Sequence, residues 1–269
     1  VVPDRLMGHS IGELTAAYVA GVLSLEDAAK LVCARGKLMQ SCEDGGAMAS
    51  LQATEAEVKS AMQSVTAVLD IAGLNGARQT VVSGSEEAVD MMCESFKAQG
   101  RKATRLNVSH AFHSAHMDPV LEEFRAVAQT CAFKTPGMPV ISNLTGKMAT
   151  AEELMSPEYW VRHVREAVRF SDGMEAIYDA GARIFLECGP QRTLSGMARK
   201  CLADAPAVFV SSHRKGVDES KTIANALSRM HVEGASIAWE QLVAAGSDWV
   251  DLPTYAFQRQ PYWLPVSQK

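Results

Sequence analysis

The sequence predicts an α/β protein in which a mainly parallel sheet is interrupted by a smaller ferredoxin-like unit. Three patterns lead to this fold. Helical and strand-like segments alternate along most of the 269 residues, as they do in parallel sheets covered by helices. Residues 47–110 instead have the order β-α-β-β-α-β, which is typical of a ferredoxin-like insert. Residues 8–12 read Gly-His-Ser-Ile-Gly, the Gly-x-Ser-x-Gly form of a turn that presents a nucleophilic serine between a strand and a helix.

The first elements flank this turn. The sequence predicts the end of a strand over residues 3–7 and helices over 12–20 and 25–40. Gly21 marks the end of the first helix, because glycine is frequent just after a helix C-terminus. Ser24, with two acidic residues in the turn after it, is the predicted N-cap of the second helix.

The second helix carries a charged residue on its apolar side. Its apolar stripe consists of Leu25, Ala28, Val32 and Met39. Arg35 lies on the same stripe. A buried guanidinium keeps its charge and therefore needs an anion. That anion is either a ligand or a carboxylate of the core such as Glu13.

The predicted insert alternates short strands with two helices. The strands are expected over 47–51, 65–74, 79–83 and 103–108, and the helices over 54–64 and 85–99. Thr54 and Glu57 have the spacing of a capping box, which marks the start of the first helix. Asn75-Gly76 separates the two middle strands.

Beyond the insert, helices and strands alternate again. Helices are expected over 119–129, 171–180 and 218–232 and directly after Gly189-Pro190, and strands over 140–142, 184–188 and 207–210. The tail that follows contains prolines and four aromatic residues between Leu252 and Trp263. It is expected to lie extended on a surface.

The composition argues against several classes of partner. A net charge of −5 gives no reason to expect nucleic acid or an anionic membrane. No apolar run approaches the roughly 20 residues that cross a bilayer. The six cysteines lack a C-x-x-C spacing, so reduced, mostly buried thiols of a cytoplasmic protein are expected, not disulfides or a metal site. Because the first residue is Val and the serine follows so soon, we expect a piece of a longer protein.

A serine nucleophile needs a general base, and histidine is the usual one. The densest histidine cluster lies at residues 109–114, where the insert rejoins the main body and a cleft is expected. His110 and His113 are therefore rival bases, while His9, next to the serine, is expected to shape the pocket. Surface or packing positions are expected for His116, His213 and His231.

Together with further motifs, these residues resemble the acyltransferase domain of modular polyketide synthases, a family related to the malonyl-CoA:acyl carrier protein transacylases of fatty acid synthesis. The matching segments are Gly-His-Ser-Ile-Gly-Glu at 8–13, Cys-Ala-Arg-Gly-Lys-Leu-Met at 33–39, His-Ala-Phe-His at 110–113, Tyr-Trp-Val-Arg-His at 159–163, Phe-Leu-Glu-Cys-Gly-Pro at 185–190 and the aromatic tail. They cover essentially the whole chain in the family's order.

The resemblance implies a role for each matching residue. Ser10 would be acylated, and His113 would act first as general base and then as general acid. The imidazole would be oriented by a backbone carbonyl, that of His163, and not by an aspartate. Arg35 would bind the free carboxylate of a malonyl group with two hydrogen bonds. The amide of Ile11 would be one oxyanion donor.

The resemblance also implies a choice of acyl group. Ile11 after the serine and Phe112 before the catalytic histidine match the family's malonyl-type pattern. A phenyl ring at 112 would fill the space that an α-methyl group needs, a discrimination of about 1–3 kcal/mol. The alternative for Phe112 is ordinary core packing.

The implied reaction is transfer of malonyl from malonyl-CoA, through Ser10, to the phosphopantetheine thiol of an acyl carrier protein in polyketide biosynthesis. The expected partners are that carrier protein and neighbouring ketosynthase and other synthase domains. No bound cofactor and no metal are expected. Two alternatives remain open at this point. One is a serine esterase or thioesterase, which would place a late histidine, His213 or His231, after an acid. The other is a non-catalytic docking module.

The resemblance divides the chain into three parts. Residues 1–46 and 111–234 would form a hydrolase-like large subdomain, 47–110 the ferredoxin-like small subdomain, and 235–269 a post-acyltransferase linker. The family's N-terminal portion, which includes a Gly-Gln-Gly loop with a second oxyanion donor, is missing from this sequence. We therefore expect this chain alone to be inactive or poorly folded.

Overall fold

The structure is a computed structural model that describes residues 1–242, 251–260 and 263. The helices are α1 (Gly12–Val19), α2 (Leu25–Gln40), α3 (Glu55–Met62), α4 (Glu86–Ala98), α5 (Leu121–Ala128), α6 (Ala151–Met155), α7 (Pro157–Arg165), α8 (Phe170–Asp179), α9 (Thr193–Cys201) and α10 (Glu219–Val232). The strands are β1 (Leu6–Met7), β2 (Gly46–Leu51), β3 (Leu69–Gly76), β4 (Gln79–Ser85), β5 (Ala103–Arg105), β6 (Val140–Ile141), β7 (Ile184–Glu187) and β8 (Val208–Ser211).

Strands outside the insert pair in parallel, but in two separate pairs. β1 lies beside β6, with Leu6 opposite Val140, and β7 lies beside β8. The predicted parallel direction of these strands is therefore correct. The prediction that they form one sheet is wrong, because among the described residues they form two separate two-stranded sheets. One apolar core joins α1, α2, α5 and α7, and a second packs α8 and α9 against β6, β7 and β8.

Strands β2 to β5 form one antiparallel sheet in the order β3-β4-β2-β5, with α3 and α4 between them in sequence. Alternate residues of β2 face opposite sides, as the period of two requires. Ala47, Ala49 and Leu51 pack against the two helices. Met48 faces the other side, where Phe112 joins its cluster. The insert thus has its own core and lends its second face to the rest of the protein.

The insert is joined to the main body by backbone contacts. Gly46, where the insert begins, lies against Ala111, where it ends: a Cβ on Gly46 would lie 2.5 Å from the Ala111 amide nitrogen. Val168 accepts a hydrogen bond from the Leu74 amide at 2.8 Å and donates one to the Ala72 carbonyl at 2.9 Å. The segment after α7 therefore runs along β3 as an extra, parallel neighbour.

Several boundaries differ from the sequence-based prediction. β3 begins at Leu69, four residues later than expected, and β5 ends at Arg105, three residues earlier. Helices α6 and α7 were not predicted, although Thr150 forms a capping box and Pro157 occupies the first turn of α7. These helices have five and nine residues, fewer than the window over which an apolar period identifies a helix.

The cysteines, the tail and the hydrophobic segments add three observations. All six cysteines are free thiols, and only Cys93 is buried, so the prediction of mostly buried thiols is wrong.

Residues 251–260 form no helix or strand, and the side chains of Tyr255 and Phe257 are more than 70% exposed. The predicted linker elements at 243–250, 261–262 and 264–269 lie outside the described residues. Over the described range, no helix combines the length and apolarity that a bilayer crossing requires.

Candidate active site

The Gly-x-Ser-x-Gly turn places Ser10 between the end of β1 and the start of α1. Ser10 has φ of 52°, in the left-handed region that non-glycine residues rarely adopt. Gly8 allows the tight turn, because a Cβ there would lie 2.1 Å from the Glu13 amide nitrogen. Gly12 has open space around its would-be Cβ. Of the two glycines that flank Ser10, only Gly8 is therefore required by sterics.

Ser10 and His113 form a hydrogen-bonded pair. The Oγ of Ser10 lies 2.7 Å from Nε2 of His113. His113 Nδ1 lies 2.8 Å from the backbone carbonyl oxygen of Glu166. The prediction that the carbonyl of His163 orients the imidazole is wrong, because His163 lies one turn earlier, inside α7, where its carbonyl faces along the helix.

Glu166 supplies this carbonyl because of its place in the chain. α7 ends at Arg165, and Glu166 is its C-cap with extended dihedrals, φ −88° and ψ 163°. The last carbonyls of a helix have no partner within the helix. The Glu166 carbonyl is therefore free to accept from His113, while the Glu166 side chain binds Arg162 in an i,i+4 ion pair.

The contacts of His113 define its protonation. A carbonyl only accepts hydrogen bonds, so Nδ1 carries the proton and Nε2 presents a lone pair to the Ser10 hydroxyl. Burial is the main cause that lowers the pKa of His113 well below its usual value, and the Arg35 cation and His163 lower it further. At neutral pH the imidazole is uncharged and ready to accept the serine proton.

Arg35 reaches the same hydroxyl from the other side. Its side chain is almost fully buried, and Nη2 donates to Ser10 Oγ at 2.9 Å. Nη1 donates to Nδ1 of His163 at 2.9 Å. Burial lowers the pKa of Arg35 to about 10, so the guanidinium is still charged at neutral pH. In the described part of the chain it forms no ion pair with a carboxylate, and Glu13 is reached only through His163.

Asn143 holds the turn in place and was not singled out from the sequence. Its Oδ1 accepts from the Ser10 amide at 2.8 Å, and its Nδ2 donates to the Gly8 carbonyl at 2.9 Å. Asn143 follows β6, the parallel neighbour of β1. Carboxyl ends of parallel strands meet at one edge of a sheet. That pairing is the signal that could have placed Asn143 beside Ser10.

The remaining predicted site residues lie around the pair. Ile11 caps α1, and its amide has no hydrogen-bond partner among the described residues. Phe112 is half-buried between the main core and the cluster under the insert. His9 is half-buried, and its Nε2 lies 2.9 Å from Oδ1 of Asn75, a residue of the insert. Burial lowers the pKa of His9, which favours its neutral form.

The other histidines are not brought to the serine. His110 is buried, with Nε2 3.2 Å from the Cys42 carbonyl and Nδ1 2.8 Å from the Ser109 hydroxyl. It ties the two ends of the insert together, so it is not the base. His213 contacts the Ser212 hydroxyl, and His231 packs against Trp239. The late histidine that an esterase of the hydrolase class needs is therefore not at Ser10.

The arrangement can perform nucleophilic catalysis on a substrate that carries an anion. Ser10 donates its proton to a neutral imidazole and accepts from a fixed cation, and a free amide of the adjoining turn is available for an oxyanion. Two surface cavities of about 300 and 490 Å³ are lined by other residues, around Arg192 and Leu202. Residues 1–242, 251–260 and 263 contain no group of three His, Cys, Asp or Glu side chains that could bind a metal ion.

Comparison with known proteins agrees with this chemistry. A family model described as an acyl transferase domain matches residues 1–237. The chain is 47% identical over 274 residues to the polyketide synthase GfsA of Streptomyces halstedii, and 48% identical over 273 residues to the spectinabilin polyketide synthase system protein NorB of Streptomyces orinoci. These matches cover 100% and 99% of the chain but only 4% and 13% of those two proteins.

Solved structures give the same result. The acyltransferase domain from the second module of the salinomycin polyketide synthase superimposes with a TM-score of 0.88 at 44% identity, over 96% of this chain and 61% of that one. The malonyl CoA-acyl carrier protein transacylase FabD of Coxiella burnetii superimposes with a TM-score of 0.76 at 30% identity, over 85% of this chain and 72% of that one.

Proposed function

The chain belongs to the acyl transferase domain family, as its polyketide synthase relatives do, and on that premise we propose that it transfers malonyl from malonyl-CoA to the phosphopantetheine thiol of an acyl carrier protein. The observation that carries the proposal is the contact of both His113 and Arg35 with the Ser10 hydroxyl, at 2.7 and 2.9 Å. A base and a cation on one nucleophile suit an acyl donor with a negative charge close to its carbonyl group.

The first half-reaction forms an ester on Ser10. The Oγ attacks the thioester carbonyl carbon while its proton moves to Nε2 of His113. The amide of Ile11 donates to the oxyanion of the tetrahedral intermediate. The intermediate collapses, the C–S bond breaks, and the proton on Nε2 passes to the CoA sulfur. His113 thus acts as base and then as acid, and the Glu166 carbonyl stabilises the imidazolium between these steps.

The second half-reaction reverses this order with a new thiol. Nε2 of His113 takes the proton of the phosphopantetheine thiol, and the sulfur attacks the ester carbonyl. The C–O bond to Ser10 then breaks, and Ser10 regains its proton from His113. The scheme uses neither a bound cofactor nor a metal ion. Its reactants are malonyl-CoA, the carrier thiol and the protein.

Charge explains the choice of a malonyl donor. Arg35 is buried with a charge and, within the described residues, without a carboxylate partner, a costly state unless an anion completes the site. A malonyl carboxylate lies two bonds from the thioester carbonyl carbon, so it can bind Arg35 when that carbon is at Ser10. Arg35 then exchanges its bond with the free hydroxyl for two bonds to the carboxylate, which are stronger. Phe112 and Ile11 restrict the space around the α-carbon of the donor.

The fold and its surroundings complete the proposal. Residues 1–46 and 111–234 form a hydrolase-like large subdomain, residues 47–110 a ferredoxin-like small subdomain, and residues 235–269 a linker toward neighbouring synthase domains such as a ketosynthase. The strand order β3-β4-β2-β5 supports the assignment of the insert. The chain spans a small fraction of its synthase relatives. A cytoplasmic location fits its free thiols.

Mass spectrometry of the full protein tests the proposal. The protein is mixed with equal malonyl-CoA and methylmalonyl-CoA, and the adduct is mapped to its peptide. We expect a malonyl adduct on Ser10 that an added acyl carrier protein removes, and no adduct in Ser10→Ala. Ser60, an exposed helical serine, provides the control variant Ser60→Ala, which keeps the adduct. Rapid loss of the acyl group to water without a thiol acceptor would favour an esterase or thioesterase, and absence of any adduct would favour a docking module.

A further inference from the structure

Three titratable side chains form a buried group behind the Ser10–His113 pair. Glu13 and His163 are at most 1% exposed, and Arg35 is 3% exposed. Buried charges are costly unless they are paired and hydrogen-bonded. The two opposite charges do not touch each other, because the imidazole of His163 lies between them.

The contacts of His163 determine its tautomer. A guanidinium has donors only, so Nδ1 of His163 must offer a lone pair to Nη1 of Arg35, 2.9 Å away. The proton of the neutral ring is then on Nε2, which lies 3.2 Å from Oε2 of Glu13. The contact does not meet hydrogen-bond geometry, so the attraction between the Glu13 carboxylate and the Nε2–H group is mainly electrostatic. The carboxylate favours a proton on the nitrogen that faces it.

Each side-chain oxygen of Glu13 has a hydrogen-bond donor. Its Oε2 accepts from the Asn143 amide at 2.7 Å, and its Oε1 accepts from the Tyr159 hydroxyl. Burial and the Glu13 charge raise the pKa of Tyr159, so the phenol keeps the proton it donates. Glu13 therefore has fixed donors on both oxygens, and its position relative to α7 does not depend on substrate.

We propose that His163 is a positioning residue: it accepts from one nitrogen of Arg35 and thereby directs the other toward Ser10, where the carboxylate of the acyl donor binds. This inference rests on the proposed function and deepens it. It assigns to the His163 side chain a part in donor selection, with Glu13 fixing the tautomer that makes the ring an acceptor. Without that acceptor the long arginine side chain has several rotamers of similar energy, and the bidentate geometry is lost.

Two substitutions at one site separate positioning from packing. His163→Leu places a side chain of similar size beside Trp160 and Tyr159, whose rings neighbour the imidazole, but removes the acceptor. His163→Gln restores an acceptor for Arg35 and a donor toward Glu13. His231→Leu changes an exposed histidine on α10 and serves as the matched control. Ser10 acylation by malonyl-CoA and by acetyl-CoA is measured in the full protein, together with crystal structures of both His163 variants.

In His163→Leu we expect the KM for malonyl-CoA to rise at least tenfold more than the KM for acetyl-CoA, with a smaller change in kcat. His163→Gln should recover most of this loss, and His231→Leu should match the wild type. The crystal structure of His163→Leu should show Arg35 Nη2 displaced from Ser10 Oγ, and that of His163→Gln should show the contact retained.

Equal losses with both donors, or an undisplaced Arg35 in His163→Leu, would overturn the inference. Failure of the proposed function looks different. A wild-type protein that accepts acetyl-CoA and rejects malonyl-CoA contradicts the proposed substrate, while the position of Arg35 in the two variant structures still decides whether His163 directs it.

Discussion

Ser10 and His113 share an unusual backbone conformation as well as a hydrogen bond. Their φ angles are 52° and 56°, and within the described residues they are the non-glycine positions with positive φ. Their side chains meet at 2.7 Å. Left-handed non-glycine residues cost about 1–3 kcal/mol each and persist where the surrounding structure enforces them. Asn143 accepts from the backbone amide of Ser10, and the Glu166 carbonyl contacts the imidazole of His113, so the backbone of one member and the side chain of the other are fixed.

Asn143→Ala is expected to weaken both the fold and the reaction. It leaves the Ser10 amide and the Gly8 carbonyl without partners, at a cost of about 1–3 kcal/mol for each buried group. Urea unfolding should show the loss of stability, and the rate of Ser10 acylation should fall because the turn relaxes. Asn107, an exposed asparagine, gives the control Asn107→Ala. Unchanged acylation in a stably folded Asn143→Ala would contradict the role of Asn143 in holding Ser10.

The two glycines of the turn should respond differently to alanine. Gly8→Ala places a Cβ 2.1 Å from the Glu13 amide nitrogen and should prevent correct folding of the turn. Gly12→Ala meets open space at the start of α1 and should leave stability unchanged or raise it by about 0.4–1 kcal/mol. Thermal unfolding and Ser10 acylation measure both effects. Similar behaviour of the two variants would show that the backbone of this turn differs from the one described.

Arg35→Ala should change the preferred donor. Hydrogen bonds to charged groups contribute about 1.5–3 kcal/mol, so the ratio of kcat/KM for malonyl-CoA over acetyl-CoA should fall roughly 10- to 150-fold. Arg35→Lys keeps the charge without the planar fork and should give an intermediate ratio. The measurement is acylation of Ser10 with each donor separately. A ratio equal to that of the wild type would exclude carboxylate binding by Arg35.

The pH dependence should differ between the free and the donor-bound protein. The pKa of His113 is lowered by burial, by the Arg35 cation and by His163, and only the unprotonated imidazole accepts the serine proton. The kcat/KM for acylation should therefore stay constant as the pH falls from about 8 through about 6.5, the ordinary pKa of histidine, and should decline only below it.

A bound malonyl carboxylate neutralises the charge of Arg35 and so removes the part of the lowering of the His113 pKa that the Arg35 cation causes. The apparent pKa in the kcat profile should therefore lie above that in the kcat/KM profile, because the two profiles report the complex and the free protein. With acetyl-CoA, which brings no carboxylate, the difference should shrink. Profiles with the same midpoint for both donors would show that the Arg35 charge does not act on His113.

Phe112→Ser should admit a larger donor. The ring is half-buried between two apolar clusters, and its removal opens space near the α-carbon. Methyl discrimination of about 1–3 kcal/mol implies that the preference for malonyl over methylmalonyl falls roughly 5- to 150-fold. Competition between the two CoA esters measures it. Phe124, a fully buried member of the main core, gives Phe124→Leu as the control for general core damage.

Much of the site follows from the sequence because its residues are recognised by type and context. Ser10 lies in a glycine-flanked turn, and His113 belongs to a histidine cluster at the end of an insert. Arg35 is on the buried side of α2 as expected, although Leu25 and Val32 of the predicted apolar stripe are exposed. The resemblance to acyltransferase domains of polyketide synthases is confirmed by the family and structure matches. The predicted capping box of Thr54 and Glu57 is also confirmed.

The sequence could not predict contacts that depend on a backbone atom or on how distant strands pair, because no residue type marks them. The acceptor for His113 is a backbone carbonyl, which every residue has, so the choice of Glu166 over His163 depends on where α7 ends. Asn143 lies 133 positions after Ser10 and becomes a neighbour only through the pairing of β1 with β6. The start of β3 was misplaced because residues 65–68 suit a strand locally, while its partner β4 ends at Ser85. The end of β5 was misplaced although β2 continues to Gly46, because only the first bond beyond Arg105, from the Leu106 amide to the Met48 carbonyl, continues the pairing.

The pairing of Val168 with β3 has a consequence for recombining such domains. The carbonyl that orients His113 belongs to Glu166, two residues before the backbone bonds of Val168 to Ala72 and Leu74. A chimera that exchanges residues 46–105 alone would place a β3 from another protein against Val168. The position of Val168 in turn supports the Glu166 carbonyl that orients His113. Designers who transfer this insert between relatives should transfer residues 166–168 with it, because the contact between insert and main body also positions the carbonyl that orients the catalytic histidine.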